Sequence, residues 1–119
     1  MTIQRWQGSA RGRNRAVSFN GMVWTVATAA DTTLGVTGQT ELCLAALDKN
    51  LADAGSDKTL IVSAQIFLAD MSTKEEMDEV WCAWIGQDWR HWPQRACVGA
   101  ALHGDTLVEI VVLAAAREL

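Results

Sequence analysis

From Lys58 to Ala69 the chain alternates side by side, with Leu60, Val62, Ala64, Ile66 and Leu68 on one face of an extended segment and Ile61, Ser63, Gln65 and Phe67 on the other. A period of two marks a strand, and apolar residues on both faces mean that both must be covered. The covering material is limited. Gln39 to Ala54 puts Leu44, Leu47, Leu51 and Ala54 on one helical stripe, with Gly55 suited to end it, and residues 72–85 carry Met77, Val80, Trp81 and Trp84 as a second stripe that ends near Gly86. Ser72 and Glu75 have capping-box spacing at the start of that second helix. Two helices can blanket only one face of a sheet.

The remaining strands are read the same way. Ala16 to Phe19 and Met22 to Ala27 flank Asn20-Gly21, a dipeptide that tolerates the positive φ angles of a two-residue hairpin turn. Ala96 to Leu102 reads as a mostly buried strand, and His103-Gly104-Asp105 as the turn of a hairpin leading into a last strand, Thr106 to Ala116. The fold class is α+β: a mainly antiparallel six-stranded sheet with two helices on one face, in the order β-β-α-β-α-β-β, of which the readable elements supply five strands. Residues 1–119 form a single domain. Val17, Val23, Ile61, Phe67, Val98, Ile110 and Val112 cannot all pack beneath two helices, so the second face is expected to be buried against another subunit in a ring-like homo-oligomer.

Charge and cysteine usage narrow the function. A net charge of -4 argues against a general affinity for nucleic acid or for anionic membranes. The exception is local: Arg5, Arg11, Arg13 and Arg15 precede the first acid, Asp31, and make either a solvated basic face or a patch for RNA or another anion. Cys43, Cys82 and Cys97 are an odd number without metal-ligand spacing to His91 or His103, which fits free thiols in a reducing compartment and no metal site. With no apolar signal core and no stretch of ~18 apolar residues, the expected location is the cytoplasm.

Arg95 is the residue most suggestive of chemistry. It follows Pro93 at the mouth of an apolar strand, and a guanidinium is a planar fork that matches a carboxylate and cannot shed its proton. Either it holds an anion or it pairs with one of the chain's own acids. Arg95, Cys97 and Gly99 project to the same side, and Glu109 on the following strand is a candidate to orient or deprotonate a water. Cys97 without a neighbouring base reads as a small buried hydrophobe rather than a nucleophile. Of the six tryptophans, Trp81 and Trp84 are packing residues on their helix, while Trp89 and Trp92 roof a pocket, stack on bases, or pack.

Arg11 to Ala27, Gly38-Gln39-Thr40, Leu51 to Ser56, Ile66 to Met71, Pro93 to Val98 and Val108-Glu109-Ile110, in this order, resemble the RidA family, also called YjgF/YER057c/UK114. The resemblance implies a chorismate-mutase-like fold assembled as a homotrimer, with sites in the clefts between subunits. It also implies hydrolysis of reactive imines and enamines such as 2-aminoacrylate and 2-iminopropanoate, without metal or cofactor. Carried over by position, Arg95 would hold the substrate carboxylate, Glu109 would position water, and Cys97 would contribute main-chain contacts. Two substitutions set this chain apart: Arg13 stands where better-studied members have a tyrosine, and Ala27 where they have a glycine, both lining the substrate pocket. A small imino or 2-oxo acid is the expected partner, with a non-catalytic carboxylate binder as the alternative and an RNA-cleaving protein less favoured.

Overall fold

A computed structural model describes residues 2–118; Met1 and Leu119, included in the expected domain, lie outside the described residues. The strands are β1 (Gln4–Gln7), β2 (Asn14–Phe19), β3 (Met22–Thr28), β4 (Ile61–Leu68), β5 (Gln94–Gly99) and β6 (Val108–Ala115), and the helices are α1 (Val36–Asp53) and α2 (Lys74–Ile85). All six strands form one sheet in the order β1-β2-β3-β6-β4-β5. Both helices lie on one face. The core between them and the sheet is built from Leu44, Leu47 and Leu51 of α1, Met77, Trp81 and Ile85 of α2, and alternate residues of the central strands.

Local signals fixed several elements as expected. Asn20 and Gly21 both take positive φ, 54° and 78°, and close the β2–β3 hairpin with Phe19 opposite Met22. Gly55 (φ 82°) and Gly86 (φ 86°) follow the two helix ends.

Other expectations are corrected. The sixth strand is β1, Gln-Arg-Trp-Gln, which has no apolar alternation to betray it because it is an edge with three exposed positions. The sheet is mixed: β4 and β5 run parallel, while the other four pairings are antiparallel. The hairpin at His103-Gly104-Asp105 does not form, because β4 lies between β5 and β6. β5 is accordingly an exposed edge that stops at Gly99, and Val98 is 46% exposed. A register shift between Ile61 and Ser63 turns Ile61 into the core and leaves Val62 outside, reversing the face expected for each. The Ser72–Glu75 capping box is replaced by Asp70, whose carboxylate accepts the Ser72 N–H at 2.9 Å and nucleates a 3-10 turn ahead of α2.

The expected crowding on the second face is also redistributed. Val23, Ile61, Ile110 and Val112 do pack beneath the helices, each at most 4% exposed. The uncovered face presents Trp24, Val62 and Val98 as exposed residues, with Val17, Val26, Phe67, Val111 and Leu113 partly exposed.

One buried polar side chain ties distant loops to this framework. Gln39, fully buried on α1, donates from Nε2 to the carbonyls of Leu34 (3.0 Å) and Asp105 (3.1 Å), and its Oε1 accepts the Leu107 N–H at 2.8 Å. The Gln39 amide itself is closed to water, while Leu34 and Asp105 are exposed residues of the loops it ties. Removing the amide strands backbone groups, at about 1–3 kcal/mol for each that stays unsatisfied. Gln39→Leu is therefore expected to lower stability by about 2–4 kcal/mol in chemical denaturation, and a loss below about 1 kcal/mol would show that the loops find other partners.

Candidate functional site

Arg95 enters β5 after a 3-10 turn, Trp89–His91, whose start is held by Asp88 accepting the Arg90 N–H. Its Cα lies opposite Ala64, a buried residue of the helix-covered face, so its side chain rises toward α2. There Nη2 donates to Asp78 Oδ1 at 2.7 Å, and the guanidinium carbon sits 5.4 Å from the centre of the Trp81 ring. Lys74 Nζ donates to the other oxygen of Asp78 at 2.6 Å. Burial alone would raise the Asp78 pKa, but the bonds from Lys74 and Arg95 outweigh it and hold the carboxyl below its ordinary value.

Of the two readings open for Arg95, the internal ion pair is present, yet it occupies one corner of the fork. Among the described residues no acceptor engages Nε or Nη1 of Arg95, and no buried side-chain nitrogen lacks a partner, so these donors reach solvent. Beside them is a hollow of about 310 Å³ lined by Asp78, Trp81, Ile85, Trp92, Pro93 and Arg95. Sequence reasoning missed Asp78 and took Trp81 for packing alone. The signal was there: Lys74, Asp78 and Trp81 are spaced to share one face of a helix.

Cys97 lies two residues along β5 on the same side as Arg95. Its thiol pKa is raised, chiefly by burial, with Arg95 and Lys74 pulling the other way and Asp78 adding to the rise, which favours the protonated thiol over the thiolate. Glu109 sits elsewhere. It is opposite Thr28 of β3 and Phe67 of β4, on the uncovered face, so a single protomer holds Glu109 and the Arg95 side chain on opposite sides of its sheet.

Arg13 and Ala27 do come together. They line a second cleft, about 200 Å³, with Gly8, Ser9 and Asn50, between the loop after β1, the strands β2 and β3, and α1. Ala27 is 6% exposed and its carbonyl accepts the Cys43 thiol at 2.9 Å. Burial drives that thiol's pKa up to about 12. Arg15 is tied to Asn50 Oδ1 (3.0 Å) and Asp53 (2.8 Å), whereas Arg13 is exposed and has no ion-pair partner among the described residues. The Arg13 cleft and the Arg95 hollow belong to opposite flanks of the sheet, with β6 and β4 between them. Among the described residues no three His, Cys, Asp or Glu side chains gather as a metal ligand set, and no helix is long and apolar enough to cross a membrane.

Comparison with known proteins bears on the whole chain. The model of a family described as endoribonuclease L-PSP matches residues 3–116. A RutC family protein of Haemophilus influenzae is 37% identical over 117 residues, which cover 96% of this chain and 98% of that protein. YoaB, a RutC family protein of Escherichia coli, is 34% identical over 116 residues, covering 97% and 99%. The crystal structure of a YjgF family member from Neisseria meningitidis matches with a TM-score of 0.90 at 34% identity, covering 100% of this chain and 98% of that one. By sequence along nearly its full length and by fold, the chain belongs to the YjgF family, the RidA group that its motifs resemble.

Proposed function

We propose that the protein is a hydrolytic deaminase of reactive 2-imino and enamine acids, acting as a homotrimer with its sites between protomers. The observation that carries this reading is the half-engaged Arg95: a fixed guanidinium with two unclaimed donor nitrogens beside a hollow, at the position where the family resemblance puts the substrate carboxylate. A carboxylate accepting from either open nitrogen makes a charge-assisted hydrogen bond to a guanidinium that Asp78 already holds in place.

The chemistry asks little more of the protein. The imine carbon is already electrophilic. A water oxygen adds to it while the nitrogen takes up a proton; the resulting carbinolamine then expels ammonia and leaves a 2-oxo acid. Glu109, in its family role, orients that water and carries its proton. Because Glu109 and Arg95 occupy opposite sides of one sheet, and the Arg13 cleft lies on the far flank, a complete site takes its groups from two copies of the chain. The uncovered face supports such assembly. It is broadly apolar, with Trp24, Val62 and Val98 each more than 40% exposed, and a second copy is the natural cover. The free thiols of Cys43, Cys82 and Cys97 suit a reducing compartment such as the cytoplasm.

A specific observation favours one rival. Asp78 already supplies Arg95 with a carboxylate, and Arg13 and Ala27 alter the second cleft, so a protein that binds small acids without turning them over is the alternative. RNA cleavage, the activity in the family model's description, sits poorly with the net charge of -4.

Two experiments test the reading. Arg95→Ala is expected to abolish ammonia release from freshly generated 2-iminopropanoate, a loss of about 2–5 kcal/mol in carboxylate binding, while sedimentation still reports a trimer. Full activity in that variant, or a stable wild-type monomer at micromolar concentration, would remove the proposal. The second concerns acid. Because Asp78 is held below its ordinary pKa, its pairing stabilises the fold above the normal carboxylate range and is lost as pH falls through the depressed value. Asp78→Asn should therefore cost stability at pH 7 and much less at pH 3, as read by denaturant titration; an equal cost at both would mean that Asp78 acts by shape rather than charge.

A further inference from the structure

Four residues lining the hollow beside Arg95 are apolar in a way that carboxylate binding alone does not require. Trp81 is 5% and Ile85 6% exposed, Pro93 adds a rigid ring, and Trp92, although 53% exposed, is pinned by its indole N–H donating to the Gly86 carbonyl at 2.9 Å. The Trp81 ring also lies against the guanidinium, which fixes the direction of the fork relative to these walls. At about 310 Å³ the hollow reaches the lower end of the ~300–1,000 Å³ of small-molecule sites.

A two-carbon or three-carbon acid held at Arg95 would leave most of that apolar surface wet. We infer that the hollow is the side-chain pocket of the site and that it selects 2-imino acids, and their 2-oxo products, bearing a large apolar and above all aromatic side chain. This inference rests on the deaminase reading for the imine, but the preference for the side chain stands on the hollow itself. The carboxylate accepts from Nε or Nη1 of Arg95, while Nη2 stays on Asp78. From there the side chain passes between Trp92 and Ile85 and lies near the Trp81 ring, where aromatic pairs gain from tilted or offset contact. A polar side chain would fare badly in the same place. The lining acid, Asp78, already has its charge offset by Arg95 on one oxygen and Lys74 on the other, so it offers a new donor no unpaired charge.

Calorimetry on the intact protein with pyruvate and phenylpyruvate reads the pocket without needing turnover. Phenylpyruvate is expected to bind at least tenfold more tightly than pyruvate, and in Trp92→Ala, a change at an exposed residue, that ratio should fall below threefold through loss of phenylpyruvate affinity. Cys82→Leu, which adds bulk at another lining position that is itself exposed, should likewise weaken phenylpyruvate by tenfold or more. Equal affinities for the two acids, no binding of either, or a ratio that survives both substitutions overturns the inference. In parallel, imines generated from alanine and phenylalanine by an amino-acid oxidase separate it from the deaminase reading. A phenylpyruvate preference without hydrolysis of either imine keeps the pocket and removes the reaction. Hydrolysis with a higher kcat/KM for the alanine-derived imine keeps the reaction and removes the pocket.

Discussion

The last strand holds the molecule together. β6 lies between β3 and β4 and pairs along its length with both, so the two halves of the sheet, β1-β2-β3 and β4-β5, join only through residues 108–115. Its inward residues, Val108, Ile110, Val112 and Ala114, are all essentially inaccessible to water. Until this strand inserts, the interior edges of β3 and β4 have no backbone partners, an arrangement that links structure to contacts remote in sequence and makes folding wait on them. Gln39 secures the entry to β6 at Asp105 and Leu107, while Ser56 secures its exit by donating to the Ala115 carbonyl at 2.6 Å. The polar ties stand at the ends because the middle is held by apolar packing and ladder hydrogen bonds.

What the sequence makes legible follows the range of each interaction. The Asn20-Gly21 turn and the helix-ending Gly55 and Gly86 are decided within a few residues, by φ angles that few side chains accept, and they can be read directly. β5 and β6 are neighbours in the chain and look like a hairpin, but β4 competes for the same edge and wins because its inward residues Ala64, Ile66 and Leu68 complete the core. No local pattern reports that contest. The bulge at Val62 likewise leaves the alternation intact on paper while reversing which residue is buried. At Asp70, a carboxylate four residues ahead of the first residue of the helix displaced a capping box that had acceptable spacing.

The candidate site divides along the same line. Arg95 stands out as a charge beside an apolar run, but its internal partner lies on α2, and only the parallel pairing of β5 with β4 sets the two face to face. Arg13 and Ala27 share a cleft because the β2–β3 hairpin and α1 bracket them. Glu109 cannot be assigned a side of the sheet until the register of β6 is known, and that register puts it away from the Arg95 side chain.

Charge gives these separations a common logic. Around Arg95 there are two cations, Arg95 and Lys74, and one acid, Asp78, so the cluster carries an excess positive charge even with every internal ion pair made. Arg13 on the other flank adds another cation with no acid beside it among the described residues. In an assembly that brings the two flanks together, these unsatisfied charges would repel across a partly desolvated seam unless an anion entered between them, and attraction to that anion would grow as water was excluded. A carboxylate ligand would then stabilise the contact between protomers as well as occupy it. Asp78 neutralises one corner of Arg95, and because it engages only Nη2 it leaves Nε and Nη1 open to an anion.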